Sequence, residues 1–108
     1  MKVYAVDFDG TLCKDEYPNA GSPNLPLIQF LKERQKAGDK VILNTCRTDK
    51  SLKAAIIFCR VYGLEFDAVN ENLPEQLAGL TDSEPRKLLA DYFIDDKNLN
   101  VDLSMYKK

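Results

Sequence analysis

The stretch Val3-Tyr4-Ala5-Val6-Asp7-Phe8-Asp9-Gly10 begins with strand-forming residues and ends in two carboxylates and a glycine. Val3 to Phe8 reads as a first strand, apolar enough to be covered on both faces, as parallel strands are. The same pattern recurs outward from it. Lys40 to Thr45 (KVILNT) reads as a second strand, Phe66 to Val69 as a short third and Tyr92 to Asp95 (YFID) as a fourth. Between the first two strands, Asn24 is a helix N-cap, Pro26 suits the first turn, and Leu27, Ile28, Phe30 and Leu31 form an apolar stripe that Gly38 terminates. A second helix is predicted over Lys50 to Tyr62, capped by Thr48 or Asp49 and closed by Gly63. Its apolar face is Leu52, Ala55, Ile56, Cys59 and Tyr62. Cys13 to Gly21 has the composition of a loop, with Asp15, Pro18 and Asn19 inside it. Short helices are expected at Pro74 to Leu80 and Glu84 to Ala90, and a small edge strand around Val101 to Leu103. Strands alternating with helices predict βαβ units, hence a three-layer α/β sandwich around a mostly parallel sheet.

The chain has 108 residues, the size of a single domain spanning 1–108, with 44% hydrophobic and 30% charged residues. It contains no apolar run near the ~18 residues a membrane span requires. The first strand meets two aspartates too early for a secretory leader, so a cytoplasmic protein is expected. A net charge of −2 provides no broad basic face, so nucleic acid is a disfavoured though open partner. Cys13, Cys46 and Cys59 are odd in number and form no paired metal motif, which fits a reducing compartment. Cys13 and Cys46 read as small packing residues. With no histidine in the chain, acid–base chemistry must come from carboxylates, Lys, Tyr or Cys.

The aspartates occupy informative positions. Asp7 and Asp9 lie where the first strand runs out, and Asp95 and Asp96 stand at the end of the fourth. Open α/β sheets bind ligands outside the carboxyl ends of their strands, where strand order reverses. Neighbouring strands lie ~4.8 Å apart, so adjacency of the first and fourth would gather all four carboxylates in one crevice. Two unpaired carboxylates ~4 Å apart repel by roughly 4 kcal/mol at an effective dielectric near 20, so such a cluster calls for a cation. Oxygen-only ligands in an incomplete cage point to Mg²⁺. A single Asp after a strand is often only a turn or cap residue; the ordered set is what carries the reading.

Asp7-Phe8-Asp9-Gly10-Thr11-Leu12 resembles the first motif of the haloacid-dehalogenase-like (HAD) superfamily in its phosphatase form. Thr45, closing VILNT, is similar to the strand-end Thr/Ser of its second motif, Lys87 to its motif lysine, and Asp95-Asp96 to its acidic pair. The resemblance covers nearly the whole chain in the right order and implies a Rossmann-like HAD domain. It implies a Mg²⁺-dependent phosphomonoester hydrolase in which Asp7 forms an aspartyl-phosphate and Asp9 serves as general acid and base. Mg²⁺ would be held by Asp7, the Asp9 carbonyl and Asp95, with Asp96 ligating through water or orienting. Thr45 would bind phosphoryl oxygens, and Lys87 would add a fixed positive charge.

Several residues carry a second reading. Lys87 with Arg86 also fits an exposed basic pair, and Thr45 a simple strand former. Thr11 either contacts phosphate or caps the following turn. Arg47 either holds a substrate phosphate or carboxylate, as in some polynucleotide phosphatases of the superfamily, or flanks a helix at the surface. The intervals after Leu12 and after Thr45 leave room for a minimal cap at most, with Tyr17, Pro18 and Asn19 as a candidate flap. An open site admits small phosphorylated molecules or macromolecular ends, or a second subunit acting as lid. The alternatives to a hydrolase are a non-catalytic or weakly active phospho-ligand binding module and, with so short a cap, less readily a phosphotransferase or phosphomutase.

Overall fold

A computed structural model describes residues 1–78 and 85–98. The first strand, β1 (Val3–Val6), is buried along its whole length and pairs in parallel on both sides. On one side lies β4 (Lys40–Leu43), followed outward by β5 (Ala68–Val69); on the other lies β6 (Tyr92–Ile94). The sheet order is therefore β5-β4-β1-β6, and it reverses between β1 and β6. This is a small α/β domain with a parallel four-stranded sheet, of the Rossmann-like kind, to which a two-stranded antiparallel sheet is added.

The connecting helices follow from their caps and stripes. In α1 (Leu25–Lys36), the Asn24 side chain accepts a hydrogen bond from the Leu27 amide at 3.3 Å, with Pro26 in the first turn. Helix α2 (Asp49–Val61) begins after Thr48, whose side chain makes no capping bond. Right-handed crossovers stepping in one direction put both helices on one face of the sheet. Ile28 and Leu31 of α1 and Ala55 and Cys59 of α2 accordingly share one core cluster with Tyr4, Val6, Val41 and Leu43.

The opposite face is, among the described residues, thinner than a three-layer sandwich predicts. Among the described residues, Val3 and Ile42 are covered there by Leu73 at the start of the single turn α3 (Pro74–Leu77), and by Leu88 and Ala90. The helix expected over Glu84 to Ala90 is not formed at residues 85–90, which are bends and extended chain. Leu88 and Ala90 are two residues apart, a strand-like period that turns both onto the sheet. Asn72 fixes this segment by donating to the Lys87 carbonyl at 3.1 Å and accepting from the Leu89 amide at 2.6 Å. The edge strand expected at 101–103 lies outside the described residues.

The loop expected over Cys13 to Gly21 is a hairpin, β2 (Cys13–Glu16) and β3 (Asn19–Pro23). The chain reaches it through a tight turn in which the Phe8 carbonyl accepts from the amides of Thr11, Leu12 and Cys13. Gly21 lets the two strands approach closely: a Cβ there would collide with the Lys14 backbone carbonyl. Strand β3 packs against α2.

Candidate active site

Register places the site. Val6 pairs with Leu43 and Ile94, and Leu43 with Val69. One residue further, Asp7, Asn44, Asp95 and Asn70 emerge level at the carboxyl ends of four neighbouring strands. The level is held by backbone bonds from the Asp7 amide to the Ile94 carbonyl (2.9 Å) and from the Asn44 amide to the Val6 carbonyl (2.8 Å). Asn70 then accepts the Thr45 amide at 2.8 Å, which sets the next turn of chain.

Asp7, Asn44, Thr45, Cys46, Asp95, Asp96 and Lys97 line a cavity of about 270 Å³ at this edge. Burial raises the Asp7 pKa above its ordinary value, a hydrogen bond from the Phe8 amide (2.8 Å) works against that, and the charges of Asp96, Asp9 and Asp95 raise it further. Of the four carboxylates expected to converge, Asp7, Asp95 and Asp96 line this cavity and Asp9 does not. Gly10 contributes by absence: at φ +82° a side chain would be strained, and its Cβ would press on the Asp96 carboxylate.

The carboxylates Asp7, Asp95 and Asp96 offer oxygen ligands and negative charge, which suit a hard divalent cation such as Mg²⁺, and the Cys46 thiol shares the lining. Among the described residues no group of three His, Cys, Asp or Glu side chains is closed to ligating distance. Asp7, Asp95 and Asp96 share the lining of the cavity.

Asp9 points elsewhere. Both its carboxylate oxygens are taken by Arg47, Nε to Oδ2 at 2.8 Å and Nη2 to Oδ1 at 2.7 Å. Arg47 also donates to the carbonyls of Pro18 (3.1 Å), Ser51 (3.1 Å) and Asn19 (3.0 Å), so its five N–H groups are all engaged. Its guanidinium carbon lies 4.8 Å from the Phe8 ring centre and 5.1 Å from that of Tyr17. Arg47 is 3% exposed. The expectation that it binds a substrate phosphate, or flanks a helix at the surface, is corrected: it is an internal clasp joining Asp9, the hairpin and the first turn of α2.

Other expected residues also fall differently. Thr11 is buried, lines neither this cavity nor its neighbour, and leaves its hydroxyl without a partner, so it does not reach a phosphate here. Lys87 is exposed, is not among the lining residues, and is bound through its backbone carbonyl. Lys97 is among the lining residues, and its backbone amide donates to Asp95 Oδ1 at 2.9 Å. Cys13 is buried as a packing residue should be, and burial pushes its thiol pKa up. Cys46 is exposed and lines the cavity, so it is not packing. A second cavity, about 370 Å³, opens beside the first and is lined by Asp9, Asp15, Tyr17, Cys46 and Arg47.

No protein-family model and no curated protein matches this sequence. Among solved structures, the chain is similar to a conserved protein from Bacteroides thetaiotaomicron, with 41% identity and a TM-score of 0.77 over 91% of this chain and 78% of that one. At that identity and coverage, the chain belongs to the same family as that conserved Bacteroides protein. No helix among the described residues is long and apolar enough to cross a membrane.

Proposed function

We propose that this protein is a Mg²⁺-dependent phosphomonoester hydrolase of the haloacid-dehalogenase-like type. The observation that carries the reading is the set Asp7, Thr45, Asp95 and Asp96 on one cavity wall at the strand ends, with Asp9 two residues beyond Asp7. The resemblance of DFDGTL to the phosphatase form of the superfamily motif supports it.

In this reading, one Asp7 oxygen stays on the Phe8 amide while the other attacks phosphorus. The phosphorus–oxygen bond to the leaving alcohol breaks, and Asp9 delivers a proton to the departing oxygen. A water then attacks the aspartyl-phosphate, giving its proton to Asp9, and releases inorganic phosphate with Asp7 restored. Each Asp9 oxygen keeps a lone pair beyond the one given to Arg47, so the carboxyl carries that proton with the clasp in place. The Thr45 oxygen accepts the Arg47 amide at 3.2 Å, which leaves its hydroxyl hydrogen for a phosphoryl oxygen. In this reading Lys97, a lining residue of the cavity, takes the part of the positive charge near the phosphate in place of Lys87. Asp7, Asp95, Asp96 and the Asp9 carbonyl are the groups that would hold Mg²⁺, which supplies charge neutralisation between nucleophile and phosphate.

Phosphate release from 4-nitrophenyl phosphate, with and without Mg²⁺, tests the reading against Asp7→Asn. Turnover that needs Mg²⁺ and falls by on the order of 10³ or more in the variant is expected. Equal rates in the two proteins would remove Asp7 as nucleophile. Mg²⁺-dependent binding of phosphate esters with no release by the parent would instead favour the binding-module alternative.

A further inference from the structure

The cavity beside Asp9 has a composition unlike that of the Asp7 cavity. Cys46 lines both, and the short segments Asp7 to Asp9 and Thr45 to Arg47 pass from one to the other, so the two are neighbours. A phosphate ester held at Asp7 extends its alcohol past Asp9, the group placed to protonate the leaving oxygen, and therefore into the second cavity.

The lining there sets what fits. Tyr17 is 61% exposed and offers a ring whose position is set by the neighbouring guanidinium. Asp15 accepts the Tyr17 amide through one oxygen at 3.3 Å and has no ion-pair partner among the described residues. Arg47, although cationic, has no N–H left to offer, because all five serve Asp9 and three carbonyls. The lining thus presents one aromatic ring, one carboxylate acceptor and no available cationic donor.

We propose that this cavity is the leaving-group subsite, selecting phosphate monoesters whose alcohol carries a planar ring and a cationic or neutral hydrogen-bond donor, and rejecting alcohols with a second anionic group. The proposal rests on the hydrolase reading for the place of the phosphate. Tyr17 stacks on the ring, Asp15 accepts from the donor, and a second phosphate or carboxylate would meet Asp15 with nothing to offset it.

The test uses three esters with one phosphate head: 4-(2-aminoethyl)phenyl phosphate, 4-(2-carboxyethyl)phenyl phosphate and ethyl phosphate. Affinities are measured by calorimetry with Mg²⁺ on the Asp7→Asn variant, and release of phosphate is measured on the parent. The amino ester is expected to bind at least tenfold more tightly than its carboxylate counterpart. Adding Asp15→Asn, which keeps an oxygen for the Tyr17 amide, is expected to bring that ratio within threefold. Adding Tyr17→Ala is expected to weaken both aryl esters about fivefold and leave ethyl phosphate unchanged. Equal affinities for the two aryl esters, a ratio that survives Asp15→Asn, or no binding of any ester would overturn the subsite. Release from all three esters without selectivity would overturn it while leaving the hydrolase intact. Selective binding with no release by the parent would keep the subsite and sink the hydrolase.

Discussion

Two acidic groups two residues apart, Asp7 and Asp9, have opposite surroundings. Asp7 faces Asp95 and Asp96 across a cavity, and burial together with their charges raises its pKa. Asp9 meets a buried guanidinium that satisfies both its oxygens. Among the described residues the first arrangement makes no salt bridge and so invites a cation from solution; the second already has its partner, and that pair braces the fold. A row of aspartates at strand ends is thus two devices, a ligand site and a brace.

The brace is the place to break hardest. Arg47→Ala removes a buried cation from five acceptors and leaves Asp9 unpaired, so a loss of about 3 kcal/mol, roughly 12 °C or more in Tm, is expected. Arg47→Lys is expected to recover little, since an ammonium has three donors and no planar fork. Thermal unfolding reads this directly, and a Tm within about 2 °C of the parent would deny the clasp its structural role.

A smaller effect sharpens the cavity side. Lys97→Ala is expected to lower kcat/KM for a phosphate ester about tenfold, the size of one charge-assisted contact. Lys87→Ala is expected to stay within about twofold of the parent, as a solvated surface charge does. The reverse order would return the cationic role to Lys87.

The smallest effect concerns Asp7 itself, in metal-free protein. Its raised native pKa means the folded chain binds more protons than the unfolded one between the ordinary carboxylate value and the raised value. The Asp7 contribution to stability is therefore present at low pH and lost as pH climbs through that window. In chelator at pH 7, Asp7→Asn is expected to melt a few degrees above the parent, the two converging near pH 3. With Mg²⁺ present, the order is expected to reverse, because only the parent gains the ligand. A variant that melts below the parent in chelator at both pH values would contradict the crowding of charge around Asp7.

Much of this architecture is legible in the amino-acid sequence. The parallel strands announce themselves by β-branched apolar runs, and α1 by a real side-chain cap at Asn24. The hairpin is not legible, because Lys14-Asp15-Glu16 shows no apolar alternation and its strands are held by the close crossing at Gly21 and by Arg47. The segment from Pro85 to Ala90 misleads for a related reason: its Leu and Ala residues suit a helix, but Asn72 fixes its backbone in an extended course. At the site, Asp7, Thr45, Asp95 and Asp96 follow from strand register alone. Arg47, Lys97 and the second cavity depend on where loops travel, which local composition does not encode.

The Arg47 clasp holds the hairpin tip by the carbonyls of Pro18 and Asn19, not by their side chains. Every amino acid has a carbonyl, so the anchor at Asn19 does not depend on which side chain stands there. The rim of the second cavity can therefore be rewritten, by drift or by an engineer, while its fastening stays the same. A protein built this way can change its clientele one exposed side chain at a time.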